Sequence, residues 1–123
     1  MCQLFVGADP DLWQPQTRSI RLDGMVTSVR LEALFWRSLE TIAQRDGLTV
    51  PQLLHRLYQE SLEAEHDMGN FTSFLRVCCL RYLDLGLRGL IPQDSRVALS
   101  SLDAEGVLSA EADSRHEAGA ALY

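Results

Sequence analysis

Val26-Thr27-Ser28-Val29-Arg30-Leu31 alternates apolar and polar residues and runs without a break into Glu32-Ala33-Leu34, the opening of a helix-patterned segment. Side chains of an extended chain change face at every residue, so Val29 and Leu31 point one way with Thr27, and Ser28 and Arg30 the other with Val26. One short strand leading straight into helices cannot bury its own apolar face. Pairing with the same strand of a second copy would cover it and make a two-stranded ribbon. A competing arrangement stands just upstream. Arg18-Ser19-Ile20-Arg21-Leu22 alternates in the same way, and Asp23-Gly24 between the two segments is a strong signal for a two-residue hairpin turn, which would pair them within one chain. The two pairings are compatible in a wider sheet.

Downstream, a helix is expected from about Glu32 to Arg45, with Phe35, Leu39, Ile42 and Ala43 at the spacing of one buried face and Trp36 beside it. Asp46-Gly47 ends it, because Gly47 suits the left-handed position after a helix. Thr49-Val50-Pro51-Gln52 has the pattern of a capping box with proline in the first turn. The second helix then carries Leu53, Leu54, Leu57 and Ser61 inward to about Glu65, with Glu60, Glu63, Glu65, Asp67 and His66 as a solvated face and His55 structural. Gly69-Asn70 interrupts again, and Asn70 or Thr72 would cap a third helix over about 71–85. Its residues, among them Phe71, Phe74, Leu75, Val77, Cys78, Cys79, Leu80 and Leu83, are apolar on nearly every side. Such a helix should be buried nearly all round, and a second protomer would be its cover. Val29, Leu31, Phe35, Leu39, Leu53, Leu57, Phe74 and Cys78 are therefore the expected core of a dimer.

Outside this stretch the patterning weakens. Residues 1–16 read as an N-terminal arm in which Leu4-Phe5-Val6 would add an edge strand and Gly7, Pro10 and Pro15 oppose a long helix. Residues 17–88 form the folded domain. Residues 89–123 read as an acidic, flexible tail, with at most a weak helix from Leu99 to Leu108.

The chain of 123 residues is 46% hydrophobic, and no apolar run approaches the ~20 residues of a membrane helix. The opening residues lack a basic region and a full apolar region, so they do not read as a secretory signal. With that start, the odd set Cys2, Cys78 and Cys79 points to reduced thiols in a cytoplasm. No Cys-x-x-Cys pair, Gly-rich phosphate loop or nucleophile-and-base constellation occurs, so no metal, cofactor or enzymatic role is expected. The net charge of −6 belongs to the ends: residues 1–15 carry two acids and no base, residues 92–123 carry six acids and two bases, and residues 16–91 balance nine against nine. All the bases are arginine.

Thr27-Ser28-Val29-Arg30-Leu31-Glu32, the helix with Phe35-Trp36, the Arg45-Asp46-Gly47-Leu48-Thr49 turn and the capped second helix resemble the ribbon-helix-helix superfamily of bacterial DNA-binding repressors. Gly69-Asn70-Phe71-Thr72-Ser73-Phe74-Leu75-Arg76 and the opening Met1-Cys2 make the chain similar to a branch with an added third helix. The fold implied is mainly α with a short β-ribbon, and the assembly a homodimer, with a tetramer on double-stranded DNA left open. The resemblance implies a symmetric dimer whose two strands, one from each copy, form an antiparallel ribbon in the major groove, with Ser28 and Arg30 facing bases and Val26 against a thymine methyl. Backbone amides of Leu48, Thr49 and Val50 at the second helix's N-terminus, with Arg18 and Arg21, would contact phosphates, and the two arginines would instead add groove contacts if the hairpin extends the ribbon.

Asp23-Gly24-Met25 stands where many members of the superfamily carry a basic segment. Weak non-specific affinity is therefore expected, and with it a need for two dimers on adjacent half-sites or for a partner. The alternative from a different class is an oligomeric protein-interaction module on the same fold that binds no DNA.

Overall fold

The structure is a computed structural model that describes residues 2–122, with side chains described as far as residue 113. Its frame is a β-hairpin backed by a layer of helices: β1 (Pro15–Leu22), β2 (Met25–Glu32), α2 (Ala33–Arg45), α3 (Val50–Glu63) and α4 (Phe71–Leu87). A short α1 (Cys2–Val6) precedes this frame and α5 (Ala104–Leu122) follows it. No described helix is long and apolar enough to cross a membrane.

The strands pair antiparallel from Pro15↔Glu32 to Leu22↔Met25. Asp23 and Gly24 take φ of 50° and 79°, both positive as a tight two-residue turn with right-handed strand twist requires. The pairing within a single chain is therefore present. Ile20, Leu22, Val29 and Leu31 are buried on one face of the hairpin, against Trp36, Leu39 and Ala43 of α2, Val50, Leu53 and Leu54 of α3, and Phe71, Leu75 and Cys79 of α4. Thr27, expected on this inward face, is exposed although its cross-strand partner Ile20 is buried.

α2 closes as the Asp46-Gly47 reading requires. Gly47 has φ of 68°, and the Gly47 and Leu48 amides donate back to Gln44 O and Ala43 O, satisfying two terminal carbonyls. α3 opens with the capping box complete: Gln52 N donates to Thr49 Oγ1 at 3.3 Å and Thr49 N to Gln52 Oε1 at 2.9 Å. Asn70 is the cap residue of α4 but makes no side-chain capping bond.

Three expectations need correction. Leu4, Phe5 and Val6 lie in α1, not in an edge strand. Trp36 belongs at the centre of the core rather than beside it, 1% exposed, because its indole Nε1 reaches Gln16 O at 2.9 Å and bolts β1 to α2. Within the one chain described, α4 is covered on one side only: Val77, Leu80, Leu83 and Leu87 project into solvent, and Phe74 and Cys78 are only partly covered.

The third correction concerns the described part of residues 89–123, expected to be a flexible tail. Arg45 donates from Nε to Val97 O at 2.7 Å and from Nη2 to Pro92 O and Asp94 O at 2.5 and 3.0 Å. Asp46 Oδ1 accepts from the Leu99 amide at 2.6 Å, and Arg81 holds Glu111 of α5 through two nitrogens. Residues 91–101 thus form a strap across the ends of α2 and α4, and Ile91 and Leu99 join Leu39, Ile42, Leu53, Leu57 and Leu85 around an apolar cleft of about 180 Å³. The weak helix expected from Leu99 to Leu108 divides into a 3-10 turn at Leu99–Ser101 and the start of α5.

Candidate nucleic-acid interface

Because the hairpin has one buried face, its other face is fixed by alternation. It carries Thr17, Ser19 and Arg21 from β1 and Val26, Ser28 and Arg30 from β2, all exposed. Register sets them in cross-strand pairs: Thr17↔Arg30, Ser19↔Ser28 and Arg21↔Val26. The result is a narrow surface with hydroxyls in its middle and a guanidinium towards each end. Arg21 is steadied by a bond from Nη1 to Gly24 O at 3.3 Å, and Arg30 forms no ion pair among the described residues. The nearby carboxylate, Glu32, is held at 2.9 and 3.1 Å by the guanidinium of Arg76 on α4, whose hydrogen bonds keep its pKa below the usual carboxylate range. The face therefore presents two arginine charges, and the carboxylate nearest Arg30 is already paired.

The two-residue turn makes Leu22↔Met25 a hydrogen-bonded pair, so the backbone groups of Met25, Thr27, Val29 and Leu31 point to β1 and those of Val26, Ser28 and Arg30 point away from it. β2 thus keeps an open edge.

The structure brings Val26, Ser28, Arg30 and Arg21 together and separates Arg18 from them. Arg18 lies on the reverse face, its guanidinium 4.4 Å from the centroid of the Trp36 ring and 3.5 Å from Glu40. At the N-terminus of α3, the Leu48 amide donates to Ala43 O and the Thr49 amide to Gln52 Oε1. Of the three amides expected at phosphates, that leaves Val50, in a residue that is itself buried. Gln59, further along α3, donates to Asp23 Oδ1 at 3.2 Å and ties the hairpin tip to the helix layer. Thr17 and Ser19 were not expected on this face. Their alternation in 15–22 carried the signal, but it becomes visible only once β1 is known to pair with β2.

The thiols offer nothing to this face. Cys79 is buried with Sγ against Phe35 O, and burial, then its neighbour Cys78, pushes its pKa up to about 11. Burial raises Cys78 as well. Among the described residues no group of three His, Cys, Asp or Glu side chains converges as metal ligands.

Residues 15–83, from the first residue of the hairpin to the last third of α4, match the family model described as the ribbon-helix-helix domain. The chain belongs to the ribbon-helix-helix family. Among solved structures it is similar to an uncharacterized protein from Bordetella pertussis Tohama I, with 54% identity over 88% of this chain and 86% of that one and a TM-score of 0.84. No curated protein matches. The matched region contains the ribbon, the capped helix pair and most of the added third helix. It ends before the strap.

Proposed function

We propose that this ribbon-helix-helix chain is a DNA-binding transcriptional regulator, a repressor of a bacterial cytoplasm with no catalytic step of its own, that reads double-stranded DNA with the outer face of its hairpin. The observation that carries the reading is that face. A two-stranded ribbon fits the major groove, which is about 12 Å wide. Arg21 and Arg30 have the forked donors that grip a guanine edge or a phosphate, Ser19 and Ser28 can donate to or accept from base edges, and Val26 suits a thymine methyl. The buried reverse face holds these side chains on a rigid base, so less freedom is lost on binding.

The functional unit is a homodimer, which would bring two such ribbons to an inverted repeat. The balanced charge of residues 16–91 and the acidic ends limit phosphate neutralisation, so affinity for random DNA is weak and falls further with salt. Discrimination then rests on the few contacts of the ribbon, each bidentate arginine contact being worth ~1–3 kcal/mol.

The experiment is selection of duplexes from a random pool by the wild type, Arg30→Ala and Arg21→Ala, at low and near-physiological salt. An enriched inverted repeat that Arg30→Ala fails to enrich is the expected result. A folded wild type that enriches nothing at either salt would refute the reading and favour the interaction-module alternative.

A further inference from the structure

We propose that the exposed stripe on α4 is a self-association surface, covered in solution by the same stripe of a second copy lying antiparallel to it. Val77, Leu80, Leu83 and Leu87 are 54%, 66%, 60% and 86% exposed. Their spacing of three, three and four residues keeps them on one side of the helix along about three turns. Single exposed leucines are ordinary on a protein surface, but four in a row form a continuous apolar patch of the kind that marks an interface.

The charges around the stripe indicate what covers it. Each arginine of α4 and its cap residue is neutralised within its own chain: Arg76 by Glu32, Arg81 by Glu111 and the cap residue Arg88 by Asp84, the last at 3.1 Å. A partner recognised by charge would find none of these ions free. A surface that is itself apolar and flanked by satisfied pairs fits without stranding an ion, and an identical stripe has that composition.

The geometry of the stripe is also its own complement. A twofold contact requires equivalent groups at equal distances on either side of the axis. Val77 and Leu87 are centred on position 82, and Leu80 and Leu83 half a residue before it. An axis at that point sets Val77 against Leu87 of the second copy and Leu80 against Leu83. α4 belongs to the helix layer on the buried side of the hairpin, so this contact leaves the outer face of the ribbon open. It is independent of whether that face enters DNA.

The test is the mass of the full chain by sedimentation velocity at tens of micromolar, without DNA, for the wild type, Leu80→Glu, Leu83→Lys and an equal mixture of the two variants. Both positions point into solvent, so the helical circular dichroism of each variant should match the wild type. Leu87→Arg, in the last turn, replaces either one that does not. The expected result is an associated wild type, each variant at half its mass with self-association at least 100-fold weaker, and recovery of the mass on mixing, where the new carboxylate of one chain faces the new ammonium of the other. A monomeric wild type, or a Leu80→Glu chain of unchanged mass, would overturn the proposal. Failure of the mixture to recover would overturn the antiparallel register. Selection of DNA by the ribbon is a separate readout, so either reading can fail alone.

Discussion

Arg45 is a cation held 8% exposed by oxygen atoms instead of by a bonded carboxylate, and replacing it with methionine tests how the strap is held. Arg45→Met keeps the aliphatic volume and removes four donated bonds: Nε to Val97 O at 2.7 Å, Nη2 to Pro92 O at 2.5 Å and Asp94 O at 3.0 Å, and Nη1 to the Tyr82 hydroxyl at 3.2 Å. Hydrogen bonds from charged donors contribute ~1.5–3 kcal/mol each, but a freed strap returns its carbonyls to water and recovers much of that, so the loss should be about 3 kcal/mol in all. For a chain of this length that corresponds to a fall in Tm of roughly 10 °C. The opening should also be local. The amides of Leu99 and Ser100, which donate to Asp46 Oδ1, should lose protection from hydrogen exchange, while those of α2 and α3 around Leu39 and Leu54 keep theirs. Urea denaturation followed by circular dichroism gives the first quantity and exchange read by mass spectrometry the second. A loss below ~0.5 kcal/mol with unchanged exchange at Leu99 would refute the account, because ordinary surface substitutions fall in that range.

Trp36→Phe should destabilise the chain by ~2–4 kcal/mol and speed exchange along β1, since it leaves Gln16 O without the indole donor and opens space in the core; unchanged exchange in β1 would show that the bolt is not needed. Glu65 adopts φ of 61° just after α3, so Glu65→Gly should stabilise by ~0.5–1 kcal/mol in the same denaturation assay. The Glu32 carboxyl is held below its ordinary value by Arg76, so it contributes stability that is present above about pH 4.5 and is lost as the pH falls through its lower folded value; in Glu32→Gln the denaturation midpoint should fall less steeply over that acid range. Alkylation by iodoacetamide at pH 8 should label the exposed Cys2 readily and leave Cys79 intact until the chain unfolds, as mass mapping would show.

Local rules carry the parts of this fold that are legible from the residues alone. The Asp23-Gly24 turn, the Gly47 terminus and the Thr49 capping box each depend on a few adjacent residues, and each forms as written. The inward set of β2 follows equally from alternation against a helix layer, apart from Thr27, which is exposed. What could not be read depends on distant partners. Nothing near Trp36 in sequence announces that a carbonyl twenty residues away awaits its indole. Arg45 and Asp46 read as ordinary helix-end residues because the strap they hold lies about fifty residues on. The same limit applies to the candidate site. Val26, Ser28 and Arg30 share a face by strand alternation, but Arg18 and Arg21 are three residues apart and so lie on opposite faces of β1. Proximity in sequence had grouped them. The composition of α4 signalled a need for cover without locating the uncovered side.

Closure of the hairpin within one chain has a kinetic consequence. A ribbon assembled from strands of two molecules exists only while they are joined, so its population follows dilution. Here eight residues meet eight across a two-residue turn. Contacts so close in sequence form in ~1–10 μs, before any encounter between molecules. The surface bearing Arg21 and Arg30 is then present in a freshly made chain at any expression level, and dilution can separate copies without dismantling the ribbon itself.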